Sequence, residues 1–473
     1  MGRIFDARVV PLVVGLSLLG CQSAPPPGDD ASGPADDGGT RADRTLPQGS
    51  DGSLVDPPRD ATVDATPADA APDAPILLGP CGNGVMDPGE MCDEGVRNDD
   101  ISGQCSRLCR PLIEWTARHD GPAHLDDEAL ALAWDPRGAL LVTGSESVTV
   151  DDGDVWVAKL DVVGQLLWSR THAGPAGRTD SGQGVAVDAD SNVVVNATEW
   201  LDLRTTSIST RKYDALGNLL WLRSYAPGLD SAGGVTVDAV GNVIAVGTVS
   251  SGTGAQSAFI RKYSASGTTL WSREIQGTSV DYNGAQAVAL GPAGSVLVAG
   301  ILSQTAPQID SWITRLSAAG VEVWTHWSEA ALLASATAVA ADGDETVTCG
   351  YYGPRANTID GWVRRLDSHG QLLWSRTYAR TGPDRCTGIA VDPDTGEVVV
   401  AFSEDLGLAL GRAVVRKYTA GGTALWTRAY SGAAGLGARA NAVAIGPGGM
   451  ILVAGTEATT DRGNDAFVRA YAP

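Results

Sequence analysis

Positive charge is scarce in this sequence. Its 473 residues include 34 Lys and Arg against 56 Asp and Glu, which gives a formal net charge of −22 at pH 7. Proteins that bind DNA or RNA need a basic footprint, and so do proteins that dock on anionic lipid headgroups by electrostatics. The excess of negative charge therefore argues against both kinds of partner. Such an excess usually keeps an exported protein soluble.

Catalytic motifs are absent as well. The sequence contains no HExxH, GxSxG, phosphate-binding loop or nucleotide fingerprint in a fitting context. Histidine is rare, with five residues: His119, His124, His172, His326 and His369. The densest polar group combines His119 and His124 with Asp126 and Asp127, where a zinc site is a weaker prediction than ordinary polar surface. We therefore predict no catalytic residue and no resident cofactor.

The N-terminal apolar run, residues 9–19, is too short to span a bilayer. Two arginines precede it, which gives the segment the charge and length of a signal peptide. It ends in Leu-Leu-Gly-Cys at Cys21, which resembles a bacterial lipobox. The resemblance implies that residues 1–20 are removed and that Cys21 carries a lipid anchor, with an ordinary secretory signal or a transmembrane anchor as alternatives. Gln22, rather than aspartate, follows the cysteine, which by resemblance to Gram-negative sorting rules implies the outer membrane, in either leaflet.

Residues 21–80 form a segment of a different composition. They are rich in Pro, Asp, Ala, Gly, Ser and Thr and contain almost no aromatic or large aliphatic side chains. Such a segment cannot bury enough apolar surface to offset the entropy of ordering it. We predict a disordered, extended tether between the lipid and the folded part.

Residues 81–110 concentrate four of the seven cysteines: Cys81, Cys92, Cys105 and Cys109. The segment resembles the Myxococcus-type cysteine-rich repeat, with its CGxGxxDPGExCD opening and CxxxC close. The resemblance implies a small loop-rich module held by two disulfides, and all three pairings stay open. Zinc binding is a weaker alternative. Calcium could be held by acidic residues, although a solvated acidic loop is favoured; the candidates are Asp87, Glu90, Asp93, Asp99 and Asp100.

The remaining chain repeats with a period of about fifty residues, marked by tryptophan. The seven tryptophans are Trp115, Trp168, Trp221, Trp271, Trp324, Trp374 and Trp426. Six of them follow a Leu or Tyr by eight residues and a Gly by four, with alternating residues on both sides, which predicts a β-hairpin whose Gly takes a positive φ. A second alternating hairpin precedes each of these. Four short strands per unit at this period predict the blades of an all-β propeller.

The number of hairpins predicts how the ring closes. Six complete units span about 128–430, and a seventh begins near Asn441 but ends without its tryptophan strand. The missing strand is at the other end of the repeats, around Trp115. We therefore predict a seven-bladed propeller over 111–473, in which the Trp115 strand completes the last blade and protects two sheet edges.

The repeats resemble the bacterial β-propeller repeat family of the SBBP type, with its GIAVDxxGNxYVAG and DxFVxKLDxxG elements. The resemblance covers about 113–473 and implies the fold, but the family has no general activity. A looser likeness to quinone-enzyme propeller repeats lacks the adjacent Cys-Cys pair of those enzymes.

Several polar residues recur from blade to blade. In five blades an arginine follows the tryptophan by two residues: Arg170, Arg223, Arg273, Arg376 and Arg428. His326 replaces it in one blade. These arginines form either a basic ring for an anionic ligand or, as we favour, ties between neighbouring blades. In five blades an acid or amide stands at the entry to the first strand: Asp127, Asp180, Asp230, Asp384 and Asn283. Leu333 and Ala438 break the series. These side chains either line the mouth of the channel or, as we favour, cap a loop by bonding its backbone amides.

Three turns carry paired carboxylates. They are weak calcium candidates, because hairpin turns need the same residue types: Asp188 and Asp190, Asp342 with Asp344 and Glu345, and Asp392 and Asp394. Cys349 and Cys386 fall on strands predicted to be neighbours, so they form either a disulfide between blades or two buried thiols.

These features favour a monomeric, non-enzymatic binding or scaffold propeller for a protein or glycan, reaching the membrane through its lipid alone. The alternatives are a propeller enzyme, such as a lyase, a hydrolase or a quinone-dependent dehydrogenase, and an envelope-assembly scaffold. We expect the binding face to be the one where the blades depart from their sevenfold repetition.

Overall fold

The computed structural model describes residues 113–226, 228–250, 254–277, 283–303, 308–327, 333–354, 358–406, 411–460 and 463–472. The predicted signal peptide (1–20), tether (21–80) and cysteine module (81–110) lie outside these residues. The same holds for the lipidation site Cys21, for the cysteines Cys81, Cys92, Cys105 and Cys109, and for the calcium candidates Asp87 and Asp93.

The described residues form 28 β-strands in seven four-stranded antiparallel sheets. Two short 3-10 turns, Pro292–Gly294 and Pro447–Gly449, interrupt the hairpins of two blades. The alternating sequence pattern therefore produces the predicted all-β propeller with seven blades. We number the blades I to VII in chain order.

The strand bounds follow the tryptophan period. Blade I contains β2 (Glu128–Asp135), β3 (Ala139–Thr149), β4 (Asp152–Leu160) and β5 (Leu166–His172). Blade II contains β6 (Ser181–Val187), β7 (Val193–Trp200), β8 (Thr206–Tyr213) and β9 (Leu219–Tyr225). Blade III contains β10 (Ser231–Val237), β11 (Val243–Ser250), β12 (Gln256–Tyr263) and β13 (Thr269–Ile275). Blade IV contains β14 (Gly284–Leu290), β15 (Val296–Leu302), β16 (Asp310–Leu316) and β17 (Glu322–Trp327). Blade V contains β18 (Leu333–Asp342), β19 (Glu345–Gly353), β20 (Asp360–Leu366) and β21 (Leu372–Tyr378). Blade VI contains β22 (Asp384–Val391), β23 (Val398–Asp405), β24 (Gly411–Tyr418) and β25 (Ala424–Tyr430). Blade VII contains β26 (Ala438–Ile445), β27 (Ile451–Ala458), β28 (Asn464–Tyr471) and β1 (Ile113–His119).

The core lies between blades. The second and third strands of each sheet pack on both faces against neighbouring blades, so runs such as Leu140-Leu141-Val142 are fully buried. Each large apolar cluster draws on two adjacent blades, as where Val347 of blade V packs with Val398 and Phe402 of blade VI. Burial on both faces explains why these strands are nearly continuous apolar segments.

The ring closes as predicted. Strand β1 pairs antiparallel with β28, with Trp115 opposite Ala470 and His119 opposite Ala466. Across the closure, Leu140 of blade I and Val468 of blade VII share one buried cluster. The two chain ends of the propeller therefore satisfy each other's edges without a covalent link.

The ring has two distinct ends. One end, here called the turn face, carries the tight hairpins that join the first to the second strand and the third to the fourth. The other end, the loop face, carries the connections from second to third strand and those between blades. Turn glycines such as Gly164 and Gly217 have φ near +80°, as their hairpin position requires.

A disulfide joins blades V and VI. Cys349 on β19 and Cys386 on β22 are bonded, with their Cα atoms 5.9 Å apart, and both are fully buried. The prediction of a disulfide between blades is confirmed.

Candidate functional site

The turn face is built from a repeated contact between tryptophan and the next blade. The Trp168 indole packs on Gly217, and its Nε1 donates a hydrogen bond to the Ala215 carbonyl at 3.1 Å. Arg170 donates from Nε to the Gly217 carbonyl at 2.9 Å and lies beside the same indole. The hydrogen bond from indole to carbonyl spans 2.9–3.1 Å in every blade interface from Trp115 to Trp374.

The arginines that follow these tryptophans are engaged by carbonyls. Arg223, Arg273 and Arg376 also donate to the turn glycine of the next blade. His326 replaces the arginine in blade IV and hydrogen-bonds to the backbone of Gly370. At the closure, Arg428 stacks on Trp426 and donates to the Ala472 carbonyl at 3.4 Å. The geometry is that of ties between blades.

Apolar side chains complete the repetition of the turn face. The outer strands expose consecutive leucines at their start, about half accessible to solvent: Leu166, Leu167, Leu219, Leu220, Leu372 and Leu373. A shallow groove of about 280 Å³ between blades V and VI lies on the same scaffold, lined by Arg376, Arg416 and Tyr418. The leucine pairs recur, so they belong to the scaffold of the blades.

On the loop face, the recurring carboxylates cap loops. Asp180 accepts hydrogen bonds from the amides of Gly174 at 2.5 Å and Trp200 at 2.7 Å. Asp127, Asp230 and Asn283 each accept the equivalent amide twenty residues later along the chain. Burial raises the pKa of Asp180 to about 6 despite these bonds, because the carboxylate loses its solvation.

One position of this series differs from the sequence alignment. In blade V the equivalent residue is Ala334 rather than Leu333, since the Ala334 amide bonds the Ile309 carbonyl as the Asp384 amide bonds the Ile359 carbonyl. A longer first strand in blade V, starting at Leu333, shifts the register by one residue.

The carboxylate turns on the turn face are occupied by protein groups. Asp188 accepts the amides of Asp190 and Asn192 at 2.9 Å and pairs with Lys212 Nζ at 2.8 Å. Asp392 likewise accepts the Asp394 amide at 2.9 Å. Asp344 faces Arg315, and Asp342 and Glu345 pair with Arg365. Within the described ranges, no three His, Cys, Asp or Glu side chains come together to hold a metal.

The histidines His119 and His124 engage different carboxylates. His119 Nε2 lies 2.6 Å from Glu146 Oε2 and its ring stacks on Trp156, whereas His124 Nδ1 lies 2.6 Å from Asp120. Asp127 is committed to its loop amides.

Sequence reasoning missed a set of buried glutamates. They lie near the end of the second strand in four adjacent blades: Glu404, Glu457, Glu146 and Glu199. Glu404 accepts from Tyr378 of the preceding blade and pairs with Arg412, and burial together with this glutamate raises the pKa of Tyr378 to about 12. The sequence does carry a pattern that could have found them. In four of the seven blades, a glutamate follows a glycine or alanine of the second strand by two or three residues.

The loop face breaks the repetition most clearly at the start of the first strands. Each first strand contains a β-bulge, and a small residue lies just before it. The position that precedes this small residue differs between blades. From blade I to blade VII it is Glu128, Ser181, Ser231, Gly284, Ser335, Arg385 and Arg439. Arg385 of blade VI lies over the ring of Tyr351 in blade V, 5.8 Å from its centre. Arg439 of blade VII is exposed and leans toward Gly411 at the start of β24. We call Arg385 and Arg439 the arginine pair.

The part of the loop face next to blade VII is acidic. Around the junction of blades VII and I lie Asp120, Asp126, Asp151, Asp154 and Asp465. Burial raises the pKa of Asp154, and the charge of Asp152 adds to it. Burial and the charge of Asp120 likewise raise the pKa of Asp465. The loop face is therefore electrostatically uneven, whereas the turn face repeats.

Neither a known family model nor any curated protein matches the chain. Solved structures with similarity include a protein of unknown function from Dyadobacter fermentans, with 10% identity and a TM-score of 0.42 over 76% of this chain and 99% of that one. A putative 6-phosphogluconolactonase from Bacteroides uniformis has 13% identity and a TM-score of 0.43 over 69% and 93% of the two chains. A glucose dehydrogenase has 13% identity and a TM-score of 0.39 over 76% and 100%. These values are too low to transfer a function to this chain.

In the described part of the chain, no helix has the length and apolar character needed to cross a membrane.

Proposed function

We propose that this protein is a lipid-anchored binding scaffold of a Gram-negative cell envelope, whose propeller presents its loop face to a protein or glycan. The N-terminal lipobox at Cys21 and the tether of residues 21–80 support the anchoring. The resemblances of the repeats to the SBBP type and of residues 81–110 to the Myxococcus-type module are consistent with an exported bacterial protein.

The observation that carries the binding part is the difference between the two faces. The turn face repeats the same Trp, Arg and Gly contacts in blade after blade, and these groups satisfy one another. The loop face replaces equivalent positions with Glu128, three serines, a glycine and the arginine pair. Residues that vary at equivalent positions are not fixed by the repeated contacts of the blades, which favours recognition at that face.

The anchoring is tested by labelling cells with a palmitate analogue. The full chain should incorporate label and fractionate with outer membranes, and Cys21→Ala should lose both properties. Label on the Cys21→Ala variant, or release of the wild type into the soluble fraction, would contradict the proposal.

The binding is tested by immobilising the full chain against a glycan array and the secreted proteins of the producing cell. A ligand retained by the wild type should be lost by loop-face substitutions and kept by a turn-face variant such as Arg137→Ala. Equal loss by both variants, or turnover of a sugar or alcohol substrate, would refute a non-enzymatic binder.

A further inference from the structure

The turns between the third and fourth strands repeat in shape, but the residues at their tips do not repeat. In blades III to VI the two residues before the turn glycine are small or polar: Ala265-Ser266, Ala318-Ala319, Ser368-His369 and Ala420-Gly421. In blade I they are Val162 and Val163, which are 46% and 56% exposed. In blade II the second of them is Leu216, which is 72% exposed. Large apolar side chains therefore face solvent at the turn tips of two adjacent blades.

These tips continue into the exposed start of the outer strand of blade I. The two turns are neighbours, because Trp168 of blade I donates to the Ala215 carbonyl at 3.1 Å and Arg170 donates to the Leu216 carbonyl at 3.0 Å. We call the following residues the apolar sector: Val162, Val163, Leu166, Leu167 and Leu216. Leaving such a group in water costs free energy, and grouped apolar side chains on a surface usually mark a contact.

The chain enters the propeller beside the apolar sector. Strand β1 begins at Ile113, opposite Tyr471, and therefore at the turn face. The Trp115 indole packs on Gly164 and donates to the Val162 carbonyl at 3.0 Å. The predicted cysteine module ends at residue 110, three residues before Ile113, and three residues span at most about 11 Å. The covalent connection therefore keeps the end of this module close to the Val162 turn.

The cysteine module has apolar side chains but too few residues to bury them in a core of its own. Its sequence includes Val85, Met86, Met91, Val96, Ile101 and Leu108. Disulfides restrain a unit of thirty residues but remove little of its apolar surface from water. A short connection to the apolar sector gives an effective concentration of about millimolar, so a contact of modest area is sufficient.

We infer that the cysteine module, residues 81–110, docks on the apolar sector of blades I and II. This occupant explains why the apolar tips occur next to the blade where the chain enters, which neither a second copy of the chain nor a lipid surface explains. The contact covers part of the turn face and leaves the loop face, at the other end of the ring, open. The inference depends neither on the proposed ligand nor on the lipid anchor.

The experiment compares tryptic cleavage of the full chain after Arg97, Arg107 and Arg110, read by mass spectrometry. The test variant is Val162→Ser/Val163→His/Leu216→Ser, whose turn tips are those that blades V and III already use. We expect its cleavage to be about tenfold faster than that of the wild type, because cleavage follows the population of the undocked state. Val240→Ser, which removes a valine that is 75% exposed on a turn of blade III, should leave the rate unchanged.

A crosslinking experiment tests the contact directly. A photoreactive phenylalanine analogue replacing Val163 should link to residues 81–110 of the same chain, and the same analogue replacing Val240 should not. Links between two chains, in a protein that is dimeric in solution, would assign the apolar sector to a second copy and overturn the inference. Flotation of Cys21→Ala with phosphatidylcholine vesicles, lost in the triple variant, would assign it to a lipid surface and also overturn it. Equal cleavage of the wild type and the triple variant, or equal acceleration in Val240→Ser, would do the same, and the proposed binding at the loop face would stand.

Discussion

The disulfide between blades V and VI offers the most quantitative prediction. Cys349 and Cys386 lie on adjacent blades and are fully buried, with their Cα atoms 5.9 Å apart. That separation is ordinary for a disulfide, and β19 and β22 are already packed together. Removing the bond should therefore change the folded state little and act mainly on the unfolded chain.

The magnitude follows from the length of the closed loop. The two cysteines are 37 residues apart, and the chain-entropy relation gives about 4 kcal/mol for a loop of this length. For a propeller of this size, that change in the free energy of unfolding corresponds to a fall in Tm of about 5 °C. The same loss should follow from reduction of the wild type and from Cys349→Ala/Cys386→Ala.

The assay is urea unfolding followed by tryptophan fluorescence. Oxidised wild type, reduced wild type and the double alanine variant are compared, and reductant added to the variant isolates any contribution of the cysteines in 81–110. We expect the midpoint to fall and the m-value to rise slightly, because the unfolded chain without the crosslink is less compact. A difference below about 1 kcal/mol between oxidised and reduced wild type would refute the reasoning, as would peptide mapping that finds the two cysteines unlinked.

Three further predictions concern closure, pH and the turns. Trp115→Ala should lower the free energy of unfolding by about 2–3 kcal/mol and speed amide exchange in β1 and β28, because its indole holds the closing strand; unchanged exchange would contradict this. Burial raises the pKa of Asp180 and Asp230 to about 6, so the folded state binds more protons than the unfolded chain between about pH 4 and 6 and the free energy of unfolding falls as pH rises through that window. Thermal melts should show a higher Tm at pH 5 than at pH 7.5, with the difference reduced in Asp180→Asn; a Tm that rises with pH would count against it. Gly217→Ala should destabilise the protein by more than Gly254→Ala, since both have φ near +80° but only Gly217 faces a tryptophan ring; equal urea midpoints would show that the ring contact is unimportant.

Much of the fold could be predicted from local patterns. The tryptophan recurs seven times and its turn glycine six times, so weak signals in one blade are reinforced by the others. The closing role of the Trp115 strand followed from counting strands, because an unpaired strand at each end of a repeat has one stable solution. The register of β18 was the exception, since the alanine-rich run Ala334–Ala341 leaves the position of its bulge unspecified.

The candidate site could be predicted only in outline. The capping carboxylates were identified as a series, but the glutamates at Glu146, Glu199, Glu404 and Glu457 were not. Three of them have a partner on the preceding blade, and Glu199 pairs with Arg211 on the next strand of its own blade. Arg385 and Arg439 attract no attention in the sequence, where arginine is frequent in every repeat. Their departure from the other blades is visible only once the strand registers place them at the same position as Glu128 and Ser335.

By itself, the sequence determined the number of blades, their strand order and the strand that closes the ring, because hydrophobic alternation and turn chemistry act over a few residues. Only the tertiary structure decided which charges are neutralised. Lys212 pairs with Asp188 within blade II, Glu404 accepts a hydrogen bond from Tyr378 of the preceding blade, and Arg385 lies over the ring of Tyr351 in blade V. The physical reason is that charge pairing depends on distances of a few ångströms between residues far apart in the chain, and these distances exist only once the blades are assembled.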